Sequence, residues 1–337
     1  MTAFHHQTVL RDAVVALLAP AAGARLLDGT LGGGGHAAAL LEAAGPGARL
    51  VGIDRDPVAL AAAQARLAGA GATLRLHLGT FADMAALAGD DAPFDGIVLD
   101  LGVSSPQLDV GERGFSLQHD GPVDMRMGPD APRTAAQLID ETDEDGLFEI
   151  LRTWGEEPRA RNIARALVAG RPWTSTLKLA GAVAAAAGWR DSRSHPATRT
   201  FQALRIAVND ELGQLDRGLD AAWSLLKPGG RLAVISFHSL EDRLVKQRFR
   251  VWAGGDRPKD AFGHPVGEPG GRLLAPGGIA GDEADPQNPR ARSARLRGFE
   301  RTAPLGAPAL CPASAPAAAL PPDRRTRSGS PARRSAR

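Results

Sequence analysis

The sequence predicts an α/β fold: an open parallel sheet with an inserted helical domain. Strand and helix patterns alternate over the first 107 residues, and the strands end in glycines or acids. The alternation stops between about residues 108 and 208 and then resumes. Strand-helix alternation implies right-handed parallel crossovers, and such sheets bind ligands at the carboxyl ends of their strands. The 337 residues are enough for two domains.

The first predicted strand, Arg25–Leu27, leads into the glycine loop, which we define as Asp28-Gly-Thr-Leu-Gly-Gly-Gly-Gly-His36, and then into a helix at Ala37–Ala44. Glycines permit positive φ and close approach of a ligand to the backbone, and a helix N-terminus favours nucleotide-like ligands. The loop is also compatible with a plain tight turn. The second predicted strand, Arg49–Ile53, favours a ligand because it ends in Asp54, where nucleotide binders place a carboxylate on ribose hydroxyls.

Two further strands follow after a predicted helix at Pro57–Ala68. The strand Leu74–Leu78 leads to Phe81, whose ring is expected either in the core or over an adenine ring. The strand from Phe94 to Leu99 ends in Asp100. An acid at the end of a buried strand costs free energy unless it is used or paired, so Asp100 is a site candidate, with a structural hydrogen bond as the alternative.

Domain boundaries follow from where the alternation stops. The sheet domain is predicted at 1–107 and 209–301, the inserted helical domain at 108–208, and a disordered Ala/Pro/Arg-rich tail at 302–337. After the insertion we predict a long Gly/Pro-rich loop at 254–289 and an edge strand within 288–297. The other predicted elements are helices at Asp12–Leu18, Thr134–Ile139, Asp145–Thr153, Pro158–Val168, Leu177–Ala187 and Asp210–Leu226, and a strand at Arg231–Ile235.

Charge and composition exclude several classes of protein. The chain has 40 basic and 38 acidic residues, and its last 36 residues hold six arginines and one acid, which leaves 34 basic and 37 acidic residues in 1–301. Any nucleic-acid site on the body is therefore a local patch. One cysteine, Cys311, permits no internal disulfide, and the histidines show no ligand spacing, so no metal site is predicted. We find no signal peptide or membrane-spanning run and expect a cytoplasmic protein.

The strand ends, taken together, indicate a particular nucleotide-like ligand. The glycine loop, Asp54, Phe81 and Asp100 match a Rossmann-like class I S-adenosylmethionine-dependent methyltransferase. A nicotinamide dehydrogenase is the competing interpretation, because both use glycine turns and a ribose-binding acid. The segment Ser104-Ser105-Pro106-Gln107 favours the methyltransferase, since it is similar to the S/D-P-P-aromatic box of amino-methyltransferases.

Longer strings resemble the MraW/RsmH family of bacterial 16S rRNA cytosine-N4 methyltransferases over about residues 5–301. They are the glycine loop, Gly52-Ile-Asp-Arg-Asp-Pro57, Asp100-Leu-Gly-Val-Ser-Ser-Pro-Gln-Leu-Asp109, Arg113-Gly-Phe-Ser116, Gly121-Pro-Val-Asp-Met-Arg-Met127, His195-Pro-Ala-Thr-Arg-Thr-Phe-Gln-Ala-Leu-Arg-Ile-Ala-Val-Asn-Asp-Glu-Leu212, Ser236-Phe-His-Ser-Leu-Glu-Asp-Arg243 and Asn288-Pro-Arg-Ala-Arg-Ser-Ala-Arg-Leu-Arg297.

The resemblance implies S-adenosylmethionine-dependent methylation of N4 of cytidine 1402 in the 16S rRNA of the small ribosomal subunit. It also implies that the inserted domain recognises RNA. Asp100, Ser105 and Pro106 are the implied catalytic residues. The implied cofactor contacts are Gly34, Gly35 and His36, then Asp54 at the ribose, Phe81 and Asp100 around the adenosine, and Gln107 beside the methyl-transfer site.

The substrate side of the site is less well defined by the sequence. Leu108 stands where the amino-methyltransferase box has its aromatic residue, so another ring must stack a flipped cytosine. Each aromatic candidate is equally compatible with the core. His238 could orient the base or cap a helix, and any arginine could bind phosphate or lie on the solvated surface. The candidates are Phe115, Phe237, Trp173 and Phe201 for stacking, His238, and Arg199, Arg205, Arg159 and Arg161 for phosphate.

The predicted chemistry is direct in-line methyl transfer without a covalent intermediate. Asp100, the Ser104/Ser105 region and nearby backbone carbonyls are the alternative acceptors for hydrogen bonds from the amine. Cysteine adducts serve carbon-5 methylation, and Cys311 lies in the predicted tail. The family's basic run is missing from Arg272–Gln287, so a phosphate contact is not expected there. Two other classes stay open: a methyltransferase acting on DNA or protein, and a non-catalytic nucleotide- or RNA-binding module.

Overall fold

The computed structural model describes residues 7–188, 195–255, 257 and 259–309, and the side chains of Ser105 and Pro106 lie outside this description. Within these residues the chain forms two compact units. The first unit comprises residues 7–108, 127–132 and 210–309, and the second comprises 109–126 and 133–209 apart from the gap at 189–194. Residues 127–132 belong to the first unit although their neighbours in sequence belong to the second. Within the first unit, the Arg55 guanidinium pairs with the Asp130 carboxylate of this segment.

The first unit is built on a seven-stranded sheet in the order β3-β2-β1-β4-β5-β7-β6. Neighbouring strands from β1 to β5 pair in parallel, and β7 runs antiparallel to β5 and β6. This topology confirms the predicted Rossmann-like α/β fold. The strands are β1 (Arg25–Asp28), β2 (Arg49–Asp54), β3 (Thr73–Leu78), β4 (Phe94–Asp100), β5 (Leu226–Ser236), β6 (Gly271–Ala280) and β7 (Arg295–Arg301).

The strand order determines where a ligand site should lie. The chain leaves β1 for β2 and β3 on one side and returns to β4 on the other side, so the direction of winding changes between β1 and β4. Open α/β sheets bind ligands at the carboxyl ends of the strands at such a switch point. Asp28 ends β1 and Asp100 ends β4, so two acids lie at the switch point.

The central strands are apolar because helices cover both faces of the sheet. Leu26 packs in a core with helices α1 and α2, whereas the next residue, Leu27, packs in a second core with α11 and α12. The helices are α1 (Arg11–Leu18), α2 (Gly35–Ala44), α3 (Pro57–Leu67), α4 (Met84–Ala88), α5 (Ser105–Asp109), α6 (Ala135–Glu141), α7 (Glu144–Trp154), α8 (Ala160–Ala169), α9 (Thr176–Ala187), α10 (Thr198–Asn209), α11 (Glu211–Leu225), α12 (Ser239–Trp252) and α13 (Gly281–Ala284).

The second unit contains helices and loops, with no β-strand among its described residues. Helix α6 begins with a capping box in which Thr134 and Gln137 exchange hydrogen bonds with each other's backbone. Helices α7 and α8 bury apolar stripes that include Ile150 and Ile163 and keep charged residues outside. Across the described residues of both units, no helix has the length and hydropathy needed to cross a bilayer.

The predicted C-terminal elements were partly wrong. The stretch 254–289 contains the strand β6 as well as loop. The last strand starts at Arg295, after a short 3-10 helix at Pro289–Ser293, and it lies between β5 and β6, so the edge strand is β6. The sequence of β6 contains Pro276, Gly277 and Gly278, which are poor strand formers. Pairing with β7 is interrupted between Leu274 and Ile279, so two short segments hold the strand in place. In β6, pairing with β7 therefore overrides weak local strand propensity. Helices α10 and α12 were also not predicted from the sequence.

Candidate active site

The glycine loop joins the end of β1 to helix α2 and is attached to the neighbouring strand by Asp54. The backbone N–H of Gly32 donates to Asp54 Oδ2 at 2.7 Å, and the N–H of Asp56 donates to Oδ1 at 2.8 Å. Gly34 is the residue before the helix and has a φ of 76°, a left-handed conformation that favours glycine. Burial raises the pKa of Asp54, and the two N–H donors partly offset this effect.

Two glycines of the loop differ in the space beside them. A Cβ on Gly35 would lie 1.9 Å from Thr8 Oγ1, whereas a Cβ on Gly33 would meet no atom within 4 Å. Gly35 is therefore needed for packing against the segment that precedes α1. Gly33 faces open space, so its backbone is accessible to a ligand.

This difference predicts that Gly35→Ala mainly changes stability, whereas Gly33→Ala mainly changes ligand binding. We expect Gly35→Ala to lower the free energy of unfolding by about 1–3 kcal/mol, the usual cost of overpacking. We expect Gly33→Ala to leave stability nearly unchanged and to weaken binding of the ligand at the loop. Urea unfolding and calorimetric titration with S-adenosylhomocysteine measure the two properties separately. Equal stability losses in both variants would contradict the packing role of Gly35.

A buried cluster of charged groups, Asp28, His36 and Asp100, lies at the switch point. Asp28 is 1% exposed and His36 is 5% exposed. His36 Nε2 lies 3.4 Å from Asp100 Oδ2. Thr30 links the two acids, because its N–H donates to Asp28 Oδ1 at 3.1 Å and its Oγ1 accepts the Asp100 N–H at 2.6 Å. The strand ends and the first turn of the loop are thus held as one unit.

Burial and neighbouring charges shift the pKa values of Asp28 and His36. Burial raises the pKa of Asp28 to about 7, against smaller opposing effects of His36 and the Thr30 N–H. Burial by itself would lower the pKa of His36, but the Asp100 carboxylate and the charge of Asp28 outweigh it and raise that pKa. Such perturbed pairs of acids and bases are concentrated at functional sites.

Three polar atoms of the cluster are buried without a hydrogen-bond partner in the described part of the chain: both ring nitrogens of His36 and Asp100 Oδ1. Buried polar groups in native proteins are almost always satisfied, and each exception needs an explanation. At least one ring nitrogen of His36 is a donor, whereas Asp100 Oδ1 can only accept while the carboxyl is ionised. The residues present therefore fit a polar ligand that donates a hydrogen bond to Asp100 and accepts one from His36.

Phe81 follows β3 and is the first residue of a short 3-10 helix, Phe81–Asp83. A Cβ on Gly218 of α11 would lie 2.4 Å from the Phe81 ring, so that glycine makes room for the ring. Phe81 is half-buried and packs at the border of the second core. One side of the ring is therefore packed against α11.

Gln107 has a structural role in the segment after β4. Its Oε1 accepts the Ser104 N–H at 2.9 Å, and its Nε2 donates to the carbonyl of Met127 at 3.3 Å. The buried amide is thus bonded at both ends and fixes the start of α5. The predicted catalytic side chains of Ser105 and Pro106 lie outside the described residues, although their backbone begins α5.

The other predicted substrate residues belong to the second unit, except for His238 and Phe237. Phe115, Trp173 and Phe201 are buried there, and Trp173 Nε1 donates to the carbonyl of Leu167 at 2.9 Å. Arg199 donates to the Glu156 carbonyl at 3.0 Å, and Arg205 is half-buried on α10. Arg161 pairs with Asp145 at 2.6 Å and lies over the Phe148 ring, and Arg159 is exposed.

His238 caps helix α12, which is one of the two roles that the sequence left open. The backbone N–H of Glu241 donates a hydrogen bond to His238 Nδ1 at 3.5 Å. In return, the backbone N–H of His238 donates to Glu241 Oε2 at 3.3 Å. The cap accounts for one ring nitrogen. The other, Nε2, is buried without a hydrogen-bond partner among the described residues. Phe237, just before His238, is half-buried against the first core.

Sequence reasoning did not assign a role to Asp28, Glu211 or Glu241. Asp28 was visible as the acid between an apolar strand and the glycines, which is the signal that singled out Asp100 at the end of β4. Its burial could not be anticipated, because it depends on β2 and β4 flanking β1. Glu211 and Glu241 lie on different helices, and only the fold brings their carboxylates near His238.

Comparison with known proteins gives close matches over most of the chain. A family model described as the MraW methylase family matches residues 3–302. Ribosomal RNA small subunit methyltransferase H of Myxococcus xanthus strain DK1622 is 55% identical over 306 residues, which cover 88% of this chain and 98% of that protein. Proteins of the same name are 51% identical in Nitratidesulfovibrio vulgaris strain DP4 over 312 residues (88% and 95% covered) and in Gluconobacter oxydans strain 621H over 299 residues (87% and 92% covered).

Proposed function

This chain belongs to the MraW methylase family, and from that membership we propose that it is an rRNA (cytosine-N4-)-methyltransferase. The proposed reaction transfers a methyl group from S-adenosylmethionine to N4 of cytidine 1402 in the 16S rRNA of the small ribosomal subunit. Relatives that bear the name of a small-subunit rRNA methyltransferase, and that the chain covers almost completely, support the substrate class. Because ribosomal subunits are the proposed substrate, we place the reaction in the cytoplasm.

The observation that carries the proposal is the Asp100 carboxylate at the switch point, one oxygen of which is buried without a hydrogen-bond partner among the described residues. Such a carboxylate favours a cationic ligand that donates hydrogen bonds. S-adenosylmethionine has both properties, through its sulfonium and its amino group, whereas a nicotinamide cofactor brings a negatively charged pyrophosphate.

The residues that would hold the methyl donor follow from the loop geometry. The backbone of Gly33, Gly34 and Gly35 would lie against it at the N-terminus of α2, and His36 and Asp100 would contact its polar groups. Asp54 would accept hydrogen bonds from the ribose while still holding the Gly32 N–H. Phe81 would flank the adenosine. When bound, S-adenosylmethionine supplies a methyl group activated by the adjacent positive sulfur.

The proposed chemistry depends on orienting a weak nucleophile. The lone pair of the cytosine N4 amine is delocalised into the ring. The site must therefore hold the nitrogen in line with the methyl group and accept hydrogen bonds from the N–H groups of the amine. The new N–C bond forms as the C–S bond breaks, and the nitrogen then loses a proton. Asp100 Oδ1, buried and without a hydrogen-bond partner among the described residues, is the acceptor we propose on this chain. No cysteine adduct is needed.

The reaction is tested by incubating the protein with methyl-labelled S-adenosylmethionine and small subunits that lack the modification, followed by nucleoside analysis. We expect label in N4-methylcytidine at position 1402. Label in protein or in DNA added as a competitor would favour the second class of methyltransferase. A folded protein that binds S-adenosylhomocysteine but leaves all three acceptors unlabelled would overturn the proposal and favour a binding module.

The ribose assignment of Asp54 gives a prediction of its own. We expect Asp54→Ala to weaken S-adenosylhomocysteine binding by about 1–3 kcal/mol, the scale of charge-assisted hydrogen bonds. The same carboxylate holds the Gly32 N–H, so loop distortion would also weaken binding. A 2′-deoxyribose analogue separates these causes, because only a ribose contact makes the wild type prefer the natural ligand more strongly than the variant does. Equal preference in both proteins would contradict the assignment.

A further inference from the structure

Phe237 lies at the carboxyl edge of the sheet, beside the segment that follows Asp100. Strand β5 pairs in parallel with β4, and Ile235 is the register partner of Asp100. Phe237 is two residues beyond Ile235, just as Gly102 is two residues beyond Asp100. A Cβ on Gly102 would lie 3.5 Å from Phe237 Cδ2, so the ring lies next to the backbone that leaves β4. All four residues belong to the first unit.

The Phe237 ring is packed on one side and is still partly accessible. Phe237 is half-buried and packs against the first core, which includes Ile235 and Leu296. Its neighbour Gly102 has a φ of 88°, a left-handed conformation that favours glycine, and brings no side chain against the ring. A ring that is fixed on one side and partly exposed is suited to stack on a planar group.

The backbone of Phe237 is held by the capping box of α12. The N–H of Phe237 donates to Glu241 Oε2 at 2.9 Å, and the N–H of His238 donates to the same oxygen at 3.3 Å. Glu241 is 2% exposed, and its Oε1 faces His238 Nε2 at 3.2 Å. These contacts fix the direction in which the chain leaves β5. The position of Phe237 is therefore set before any ligand binds, which lowers the entropic cost of stacking.

The strand order relates Phe237 to the two ends of the proposed methyl donor. In the proposed function, Asp54 of β2 holds the ribose and Asp100 of β4 accepts the amine of the cytosine. The strands follow one another as β2, β1, β4 and β5, so the donor extends from β2 towards β4, and the acceptor base comes next to β5. Phe81, the other half-buried ring at this edge, follows β3 on the opposite flank. Phe237 is thus on the side of the acceptor and Phe81 on the side of the adenosine.

The other aromatic candidates for stacking are packed within the helical unit. Phe115 is 6% exposed, Trp173 is 9% exposed and Phe201 is 6% exposed. Rings buried to this extent contribute mainly to the core of the unit in which they lie. Phe237 differs from all three, because it is half-buried and lies at the sheet edge that carries Asp100.

We propose that the Phe237 ring stacks on the cytosine that accepts the methyl group and holds its N4 amine in line with the donor. This inference rests on the proposed function. A base taken out of the RNA stack needs a planar surface, which aromatic side chains supply. Leu108 occupies the aromatic position of the amino-methyltransferase box, so in this chain the neighbouring strand supplies the ring. Phe237 orients the base, and Asp100 accepts hydrogen bonds from its amine.

The test measures methylation of unmodified small subunits by the full-length protein. Phe237→Leu keeps an apolar side chain for the core and removes the ring. We expect kcat/KM to fall by about 10–100-fold, the usual effect of losing one base–aromatic stack, and the affinity for S-adenosylhomocysteine to stay that of the wild type. Phe237→Tyr keeps a ring and should recover most of the loss. Phe262→Leu is the matched control, because Phe262 is 86% exposed in another part of the first unit and should change neither property.

Thermal unfolding identifies a variant that does not fold, and Phe237→Met then replaces Phe237→Leu, since methionine fills irregular gaps in a core. A folded variant without the ring that keeps the wild-type kcat/KM would overturn the inference. A loss that Phe237→Tyr does not restore, or one matched by an equal loss of S-adenosylhomocysteine affinity, would also overturn it, because the ring would then serve the fold or the cofactor site. Wild-type protein that methylates no subunit would overturn the proposed function as well, so the two failures are distinguishable.

Discussion

Replacing Asp100 with asparagine is expected to lower kcat/KM for methyl transfer to small subunits by about 10²–10³-fold, the usual effect of losing one positioned acceptor or charge. Asparagine keeps the shape of the side chain, and the Asp100 N–H can still donate to Thr30 Oγ1. The variant removes a negative charge 3.4 Å from His36 Nε2 and replaces a carboxylate oxygen with an N–H donor. Both changes oppose a cationic methyl donor and an amine that must lose a proton.

Asp95→Asn is the matched control on the same strand. Asp95 lies near the opposite end of β4, where its carboxylate accepts the Arg25 N–H at 2.8 Å and pairs with Lys227. We expect this variant to lose about 0.5–1.5 kcal/mol of stability, the net value of an ordinary hydrogen bond, and to keep its kcat/KM. Calorimetric binding of S-adenosylhomocysteine to both variants separates cofactor affinity from the methyl-transfer step. An Asp100→Asn enzyme as active as the Asp95→Asn enzyme would exclude a catalytic role for Asp100.

The part of the fold that the sequence predicts well is the part where local pattern and burial agree. Strands β1, β2 and β4 are short, mostly apolar runs that end in aspartate, and β3 alternates apolar and polar residues; all four were placed within one residue of their observed bounds. Strand β6 could not be found in this way, because its Gly/Pro-rich segments are held by pairing with β7. Helix α12 was missed, although its buried residues Val245, Phe249 and Trp252 recur at the spacing of one helical face.

The candidate site shows the same division. The glycine loop, Asp54 and Asp100 could be identified because each stands at the end of a predicted strand, and parallel strand ends share one edge of the sheet. The burial of Asp28 and His36 could not be read from the sequence, since it arises from the strands and helix packed around them. Likewise, the two roles of His238 could not be separated until its cap on α12 was visible.

Asp28 gives the second large expected effect, on the pH dependence of stability. Its pKa is raised by burial to about 7 in the folded protein, whereas an unfolded aspartate titrates near 4. Between about pH 4 and pH 7 the unfolded chain has therefore lost the Asp28 proton and the folded protein has kept it. The stability of the wild type must fall as the pH rises through this window. The raised pKa of His36 acts in the same direction, because its stabilising charge is lost as the pH rises through the folded-state value.

Asp28→Asn removes the Asp28 contribution and keeps the acceptor oxygen for the Thr30 N–H. A pKa difference of about three units corresponds to about 4 kcal/mol. We therefore expect the stability of the variant relative to the wild type to increase by up to about 4 kcal/mol between pH 4 and pH 8. Loss of the Asp28 charge also lowers the pKa of His36 in the variant, and this change acts in the same direction.

Urea unfolding of the cofactor-free proteins at one-unit pH steps measures the difference. Asp90→Asn is the control, because Asp90 is exposed in the short 3-10 helix Gly89–Asp91 and the same change of charge occurs there in solvent. Its stability curve should run parallel to that of the wild type. A curve for Asp28→Asn that is also parallel would show that the Asp28 carboxyl titrates normally in the folded protein. The switch point would then hold a full negative charge on Asp28 at neutral pH without any ligand.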